Sequence, residues 1–205
     1  MTHTLHRRGT AESLSEDFVV LIIPAMGINS NGHEAKLKDF LNIVLKYKPV
    51  NIGHVDKGGM DPSKWEEVIA NPSKLAHAVF DNQDAVAGVL KELKEADLGL
   101  SVVVSGIFEK VDECFEQAGL QHHTANFSLE TWGKTEKLPS QDILEVTTMC
   151  GHAMIATDLV HAMADEVKTG RKTPEEAARV LAPQCACGIF NPARAAKLLA
   201  AMAKK

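Results

Sequence analysis

Continuous apolar runs alternate with helix-like periodicity along the first two thirds of the chain. Residues 18–23 form an uninterrupted apolar run that ends at Pro24, which is typical of a strand buried on both faces. In the next segment apolar residues recur at the spacing of one helix face: Leu37, Phe40, Leu41, Val44 and Leu45. Residues 50–55 and 100–104 have short strand-like patterns, and residues 123–131 alternate polar and apolar side chains. The pattern therefore predicts about four strands.

Helical segments separate these predicted strands. Asp61-Pro62 and Asn71-Pro72 each place a capping residue before a proline, which indicates two helix starts. A further helix is predicted over residues 83–96. Strands separated by helices usually lie parallel and are joined by right-handed crossovers. We therefore expect an α/β fold in which residues 1–138 form a small parallel sheet, Rossmann-like or flavodoxin-like.

The pattern becomes helical after Pro139. Residues 173–176 combine a capping box with proline at the first helical position, so a helix should begin there. Asn191-Pro192 has the same cap-and-proline form and should begin the last helix. We expect residues 139–205 to be a helical subdomain that packs on the sheet.

Composition narrows the classes of partner. The chain has 205 residues, of which 45% are hydrophobic and 24% charged, and its formal net charge is −5. A negative balance with only 5% aromatic residues disfavours binding to nucleic acid or to an anionic membrane. Residues 1–17 lack the apolar core of a signal peptide, and no apolar run reaches the roughly 18 residues of a membrane span. We expect a cytoplasmic protein, with its N-terminal residues 6–10 a solvated tail.

Two short motifs near the C-terminus carry the strongest chemical signal. Cys150-Gly151-His152 and Cys185-Ala186-Cys187-Gly188 hold three of the four cysteines and a histidine. In a reducing compartment such groups usually bind metal or take part in catalysis. Three thiolates and one imidazole suit zinc in a closed site, or an iron–sulfur cluster. The sequence therefore predicts Cys150, His152, Cys185 and Cys187 as metal ligands, at helix N-termini whose dipoles would stabilise the thiolates.

Two other interpretations of these motifs stay open. The ligand spacings are tighter than those of structural zinc motifs, and small buried cysteines at tight turns would produce the same pattern. Alternatively, Cys150 is a nucleophile and His152 its base. Cys114 lies on a predicted helical face, where we expect it to contribute only packing.

A second candidate site follows from the predicted parallel sheet. Ligands bind beyond the carboxyl ends of parallel strands, where glycine, asparagine and serine can present donors to an anion. The residues at those ends are Gly27, Asn29, Ser30, Asn31, Gly32, Ser105 and Gly106. Their spacing matches neither a dinucleotide fingerprint nor a P-loop. We expect them to share a cavity for a small anionic molecule.

The resulting functional expectation is a metal- or iron–sulfur-dependent enzyme that acts on a small anionic substrate. An open metal position would serve a lyase or hydrolase, and a cluster would serve an oxidoreductase. The alternatives are a non-enzymatic binding or regulatory module with a structural metal site, and a thiol-dependent enzyme. The sequence does not decide whether the chain forms a homo-oligomer.

Overall fold

The computed structural model describes residues 4–55, 57–58 and 62–205. Strands and helices are mixed up to residue 117, and the chain is helical after residue 140. In chain order the elements are α1 (Ala11–Leu14), β1 (Phe18–Ile23), α2 (His33–Lys46), β2 (Asn51–His54), β3 (Lys57–Gly58), a 3₁₀ turn (Pro62–Lys64), α3 (Trp65–Ala70), β4 (Ala76–Phe80), α4 (Gln83–Ala96), β5 (Ser101–Ser105), α5 (Phe108–Gln117), a 3₁₀ turn (Thr135–Lys137), α6 (Gln141–Thr147), α7 (Thr157–Lys168), α8 (Pro174–Leu181), a 3₁₀ turn (Ala182–Gln184) and α9 (Pro192–Met202).

The sheet is antiparallel, so the predicted parallel sheet is wrong. Four longer strands and the two-residue β3 lie in the order β3-β2-β4-β1-β5, and every neighbouring pair runs in opposite directions. Val20 in the central β1 lies opposite Ala78 of β4 on one side and Val104 of β5 on the other. Neither a Rossmann-like nor a flavodoxin-like sheet has this arrangement.

The reason for the error is the position of β4. β1 and β2 both run antiparallel to β4, so they point the same way, as strands joined through a helix should. However, β4 lies between them and pairs with the facing edge of each. The chain order β-α-β-β-α-β, with β3 and α3 as short additions, is that of a split β-α-β arrangement.

Two local predictions from the sequence are also wrong. Asn71-Pro72 was predicted to begin a helix, but a short turn leads from there into β4. The predicted strand over residues 123–131 is irregular, and Phe127 and Leu129 within it are exposed. An alternating pattern forms a strand only where a neighbouring strand supplies hydrogen bonds, and this segment has no such neighbour among the described residues.

Both faces of the sheet are covered. Phe18, Val20 and Ile22 of β1 point into a core formed with α2, α4 and α5. Val19 and Val79 point to the opposite face, which we call the second face. There they pack with buried side chains from the C-terminal helices, including Ile143, Val146, Leu181, Phe190 and Leu199. The second face is therefore where the sheet meets the cysteine motifs.

Local signals in the C-terminal third are confirmed. Thr173 and Glu176 exchange the two hydrogen bonds of a capping box at the start of α8. Asn191 caps α9 by accepting a hydrogen bond of 2.9 Å from the backbone N–H of Arg194. Across the described part of the chain, no helix combines the length and apolarity needed to cross a membrane.

Replacing Phe80 with alanine tests this sheet order. Phe80 is 0% exposed in β4, so removal of its ring should lower the free energy of unfolding by about 3–5 kcal/mol. Phe127 is 65% exposed, so Phe127→Ala should change that energy by less than about 0.5 kcal/mol. Urea unfolding of both variants measures the difference. A costly Phe127→Ala with a neutral Phe80→Ala would instead favour a strand over residues 123–131.

Candidate functional site

Both cysteine motifs lie in turns between C-terminal helices. Cys150 follows the end of α6, where the backbone N–H of Cys150 bonds to the carbonyl of Thr147 and that of Ala153 bonds to the carbonyl of Cys150. Cys185 and Cys187 follow the 3₁₀ turn after α8, and a hydrogen bond of 2.9 Å from Gly188 N–H to the carbonyl of Cys185 closes their turn. A φ of 75° at Gly188 is a conformation that favours glycine.

Neither motif occupies a helix N-terminus. α7 begins at Thr157 and α9 begins at Pro192, several residues after each motif. The predicted stabilisation of thiolates by helix dipoles is therefore absent, because that effect fades within the first turn.

The structure brings the four predicted ligands into one chain of contacts. The Sγ atoms of Cys185 and Cys187 are 3.9 Å apart, and Cys187 Sγ is 3.9 Å from Nδ1 of His152. Cys150 lies close enough to Cys185 for the two thiols to shift each other's pKa. The three cysteines are free thiols and buried, whereas His152 is exposed. These four residues form the cysteine cluster, which adjoins the exposed residues 151–154.

Hydrogen bonding within the cysteine cluster concentrates negative charge at Cys187. The bond from Cys185, helped by the backbone N–H of Ile189, outweighs burial and lowers the pKa of Cys187 to about 7. The bond from Cys150 lowers the pKa of Cys185, but donation to Cys187 together with burial outweighs it and raises that pKa overall. Donation to Cys185 and burial raise the pKa of Cys150. Cys187 is therefore the first of these thiols to ionise as the pH rises.

The side-chain positions do not form the predicted closed metal site. Within residues 4–55, 57–58 and 62–205, no three or more His, Cys, Asp or Glu side chains are grouped so that they could hold a metal ion. The structure therefore contains a cluster of neighbouring free thiols. A role for them as metal or iron–sulfur ligands stays a prediction.

The sheet contacts the cysteine cluster at Gly53 of β2. A Cβ atom at Gly53 would lie 2.1 Å from the carbonyl oxygen of Cys187 and 2.8 Å from Nε2 of His77, so only glycine allows this contact. His77 is 2% exposed, and Asn51 on the same face donates a hydrogen bond of 3.1 Å to the carbonyl of Phe190. Gly53, His77 and Asn51 are not among the residues that the sequence predicts for a site, although a histidine inside the apolar run 75–80 is a visible signal.

The N-terminal segment reaches the cysteine cluster, so its prediction as a solvated tail is wrong. The side chain of Arg7 is only 6% exposed and pairs with the fully buried carboxylate of Asp17. Burial lowers the pKa of Arg7, while Asp17 and the thiols of Cys185 and Cys187 act in the opposite direction. An arginine in a terminal segment gives no sequence signal of such burial.

The predicted anion site is not assembled. In the antiparallel sheet Ser101 of β5 pairs with Ile23 and Ser105 pairs with Val19, so the loop after β1 and the end of β5 lie at opposite ends of the two strands. They border the two ends of a groove along the outer edge of β5. Residues that were expected to face one ligand are therefore separated by the length of a strand.

The side chains of the predicted anion site are largely engaged within the fold. Asn29 accepts a hydrogen bond of 2.6 Å from Ala25 N–H and donates one of 2.8 Å to the carbonyl of Gly99. Ser30 Oγ accepts from Gly27 N–H at 3.2 Å, and Ser105 Oγ is hydrogen-bonded to Thr4 Oγ1 at 2.8 Å. Gly32 precedes α2 without a side-chain cap, Asn31 lies in the same turn, and Gly106 packs against Phe18.

Comparison of the chain with protein-family models, with curated proteins and with solved structures finds no match.

Alkylation should identify Cys187 as the reactive cysteine. The thiolate is the reacting form, and the pKa of Cys187 is about 7, whereas burial raises the pKa of Cys114 to about 11. We expect iodoacetamide to modify Cys187 first, at a rate that rises with pH and is half-maximal near pH 7. Peptide mass spectrometry at short reaction times measures the order of labelling, and Cys187→Ser is the control. Earlier labelling of Cys114 would contradict this charge distribution.

Proposed function

We propose that the cysteine cluster is a thiol–disulfide redox centre, in which Cys187 and Cys185 together reduce a small disulfide substrate. The observation that carries this proposal is the 3.9 Å separation of the two sulfur atoms within one tight turn. A disulfide requires the sulfurs to approach to about 2.05 Å, which side-chain rotation can supply when the two residues share a turn. The function is thus one form of the thiol-dependent enzyme that the sequence left open.

The reaction has two balanced steps. In the first, the Cys187 thiolate attacks one sulfur of the substrate disulfide, the substrate S–S bond breaks, and one substrate thiolate leaves and takes up a proton. In the second, Cys185 loses its proton and attacks Cys187 Sγ, which releases the other substrate thiolate to be protonated in turn. Two electrons pass to the substrate, two thiols are released, and a Cys185–Cys187 disulfide forms. Small-molecule thiols would reduce that disulfide and return the centre to its starting state.

The contacts around the sulfurs suit these roles. Cys187 lies beside the exposed residues 151–154, where a substrate can approach. His152 holds a protonatable ring 3.9 Å from Cys187 Sγ, which suits proton exchange with the leaving thiolates. Cys185 is 0% exposed behind Cys187, the position expected of a resolving thiol that meets only the mixed disulfide.

The nucleophile in this proposal differs from the one expected from sequence. The sequence paired Cys150 with His152, but it is Cys187 that lies next to the His152 ring. The pKa of Cys150 is raised by its interaction with Cys185, so in this proposal Cys150 holds Cys185 in position and is not the nucleophile.

A metal or iron–sulfur centre is the second candidate. The observation in its favour is again the 3.9 Å separation of Cys185 Sγ and Cys187 Sγ, because two thiolates on a tetrahedral zinc ion with 2.3 Å bonds are about 3.8 Å apart. Binding would require Cys150 or His152 to change rotamer, since no group of three or more ligand side chains is so arranged among the described residues.

Metal analysis separates the two candidates. If the redox function holds, protein purified without oxygen should contain no stoichiometric zinc or iron and should be colourless above the protein absorption band. A metal centre would give stoichiometric metal that is lost in Cys185→Ser and kept in Cys114→Ser, because hydroxyl is a poor replacement for a thiolate ligand. Stoichiometric metal in the parent would reject the free-thiol centre.

Trapping the intermediate tests the redox function. Reduced parent protein mixed with oxidised glutathione should form the Cys185–Cys187 disulfide, identified by peptide mass spectrometry. Cys185→Ser removes the resolving thiol, so a mixed disulfide with glutathione should accumulate at Cys187. Cys114→Ser should behave as the parent, because Cys114 lies buried in the other core, against α4. A parent that forms no intramolecular disulfide would refute the function.

A further inference from the structure

Arg7, in the N-terminal segment, has a side chain that hydrogen-bonds to both cysteine-bearing turns. Its Nη2 donates to the backbone carbonyl of Met149 at 3.3 Å and also to that of Ile189. Met149 directly precedes Cys150, and Ile189 follows Cys187 by two residues. One guanidinium group therefore joins two turns that are far apart in the sequence.

The contact with Ile189 leads directly to the sulfurs. The backbone N–H of Ile189 lowers the pKa of both Cys185 and Cys187, so it lies close to both sulfurs. Arg7 holds the carbonyl of the same residue and so restrains the backbone segment that carries this N–H. The two sulfurs are thus oriented by a backbone segment whose position depends on Arg7.

Arg7 is itself held rigidly. Its Nη1 pairs with Asp17, and Asp17 also accepts hydrogen bonds of 2.8 Å from Arg194 and 3.0 Å from Asn191. The side chains of Asp17 and Arg194 are 0% and 1% exposed. A charged group buried among fixed partners in this way has little freedom to move. Arg7 Nε has no hydrogen-bond partner among the described residues, so the two Nη groups make the contacts that matter here.

We propose that Arg7 is a positioning residue of the cysteine cluster, which fixes the turn of Cys185 and Cys187 against the turn that carries Cys150 and His152. This inference rests on the proposed redox function. Exchange requires the sulfurs of Cys185, Cys187 and the substrate to come into line at bonding distance, so a small displacement of the turn that carries Cys185 and Cys187 slows it strongly. A misplacement of about 1 Å can cost on the order of a hundredfold in rate.

Arg194 offers a matched control for Arg7. Both arginines are buried and share the Asp17 carboxylate. The other hydrogen bonds of the Arg194 side chain go to Ser13 Oγ and to the carbonyl of Arg8, and it lies 3.9 Å from the carboxylate of Glu145, so none of its polar contacts among the described residues is with a cysteine turn. Loss of Arg194 should therefore destabilise the fold as loss of Arg7 does, without the same effect on the sulfurs.

The experiment measures how fast the mixed disulfide at Cys187 resolves into the Cys185–Cys187 disulfide after addition of oxidised glutathione. Arg7→Met should resolve it at least about tenfold more slowly than the parent, because the link between the turns is lost. Arg7→Lys keeps the charge but lacks the fork that reaches two carbonyls, so its rate should fall in between. Arg194→Met should lower the melting temperature similarly and keep the rate within about threefold of the parent.

The outcomes separate this inference from the proposed function. A parent without the Cys185–Cys187 disulfide refutes the redox function and the role of Arg7 with it. A parent that forms the disulfide while Arg7→Met does so at an unchanged rate, or is slowed no more than Arg194→Met, refutes the role of Arg7 alone. If circular dichroism shows that Arg7→Met does not fold, Arg7→Lys compared with Arg194→Lys decides by the same criterion.

Discussion

The arrangement of the chain depends on the contacts of one buried group, the carboxylate of Asp17. It precedes β1, and it binds Arg7 from the N-terminal segment together with Arg194 and Asn191 from the start of α9. A charge at this depth must keep its partners, since removing one partner of a buried pair costs about 3–5 kcal/mol. Sheet, N-terminal segment and C-terminal helices are therefore tied together at one point. The two cysteine turns lie next to that point through Arg7.

The residues of the candidate site lie on one face of the sheet. The other face, which carries Phe18, Val20 and Ile22, is filled by an apolar core with α2, α4 and α5. The second face carries Asn51, Gly53 and His77 from neighbouring strands, and the turn around Cys187 packs directly on Gly53. Interaction with Cys185 and burial raise the pKa of Cys150, while the interaction with Cys185 lowers that of Cys187. The order of ionisation is thus set by the contacts between the thiols.

Secondary-structure elements could be predicted from the sequence where the pattern that marks them lies within the element itself. The helix over residues 83–96 and the capping box at Thr173 arise from contacts between near neighbours, the strand over residues 18–23 is marked by an uninterrupted apolar run, and the structure contains each of them. The strand β4 was not accessible in this way. Its alternating alanines at 76 and 78 give a weak strand signal, and only the edges of β1 and β2 supply the hydrogen bonds that make it a strand.

The candidate site, too, could be predicted from the sequence only in part. The sequence by itself determined that Cys150, His152, Cys185 and Cys187 sit in two glycine-containing motifs, because the glycines that permit their turns are adjacent to them. Only the tertiary structure decided that Cys187 lies between Cys185 and His152, and that Arg7, Gly53 and His77 lie around them. It also separated the loop after β1 from Ser105, because antiparallel pairing sends the ends of neighbouring strands to opposite edges of the sheet. Strand direction is set by which edges are free to pair in the folded chain, and that choice depends on contacts between residues distant in sequence, which no local pattern encodes.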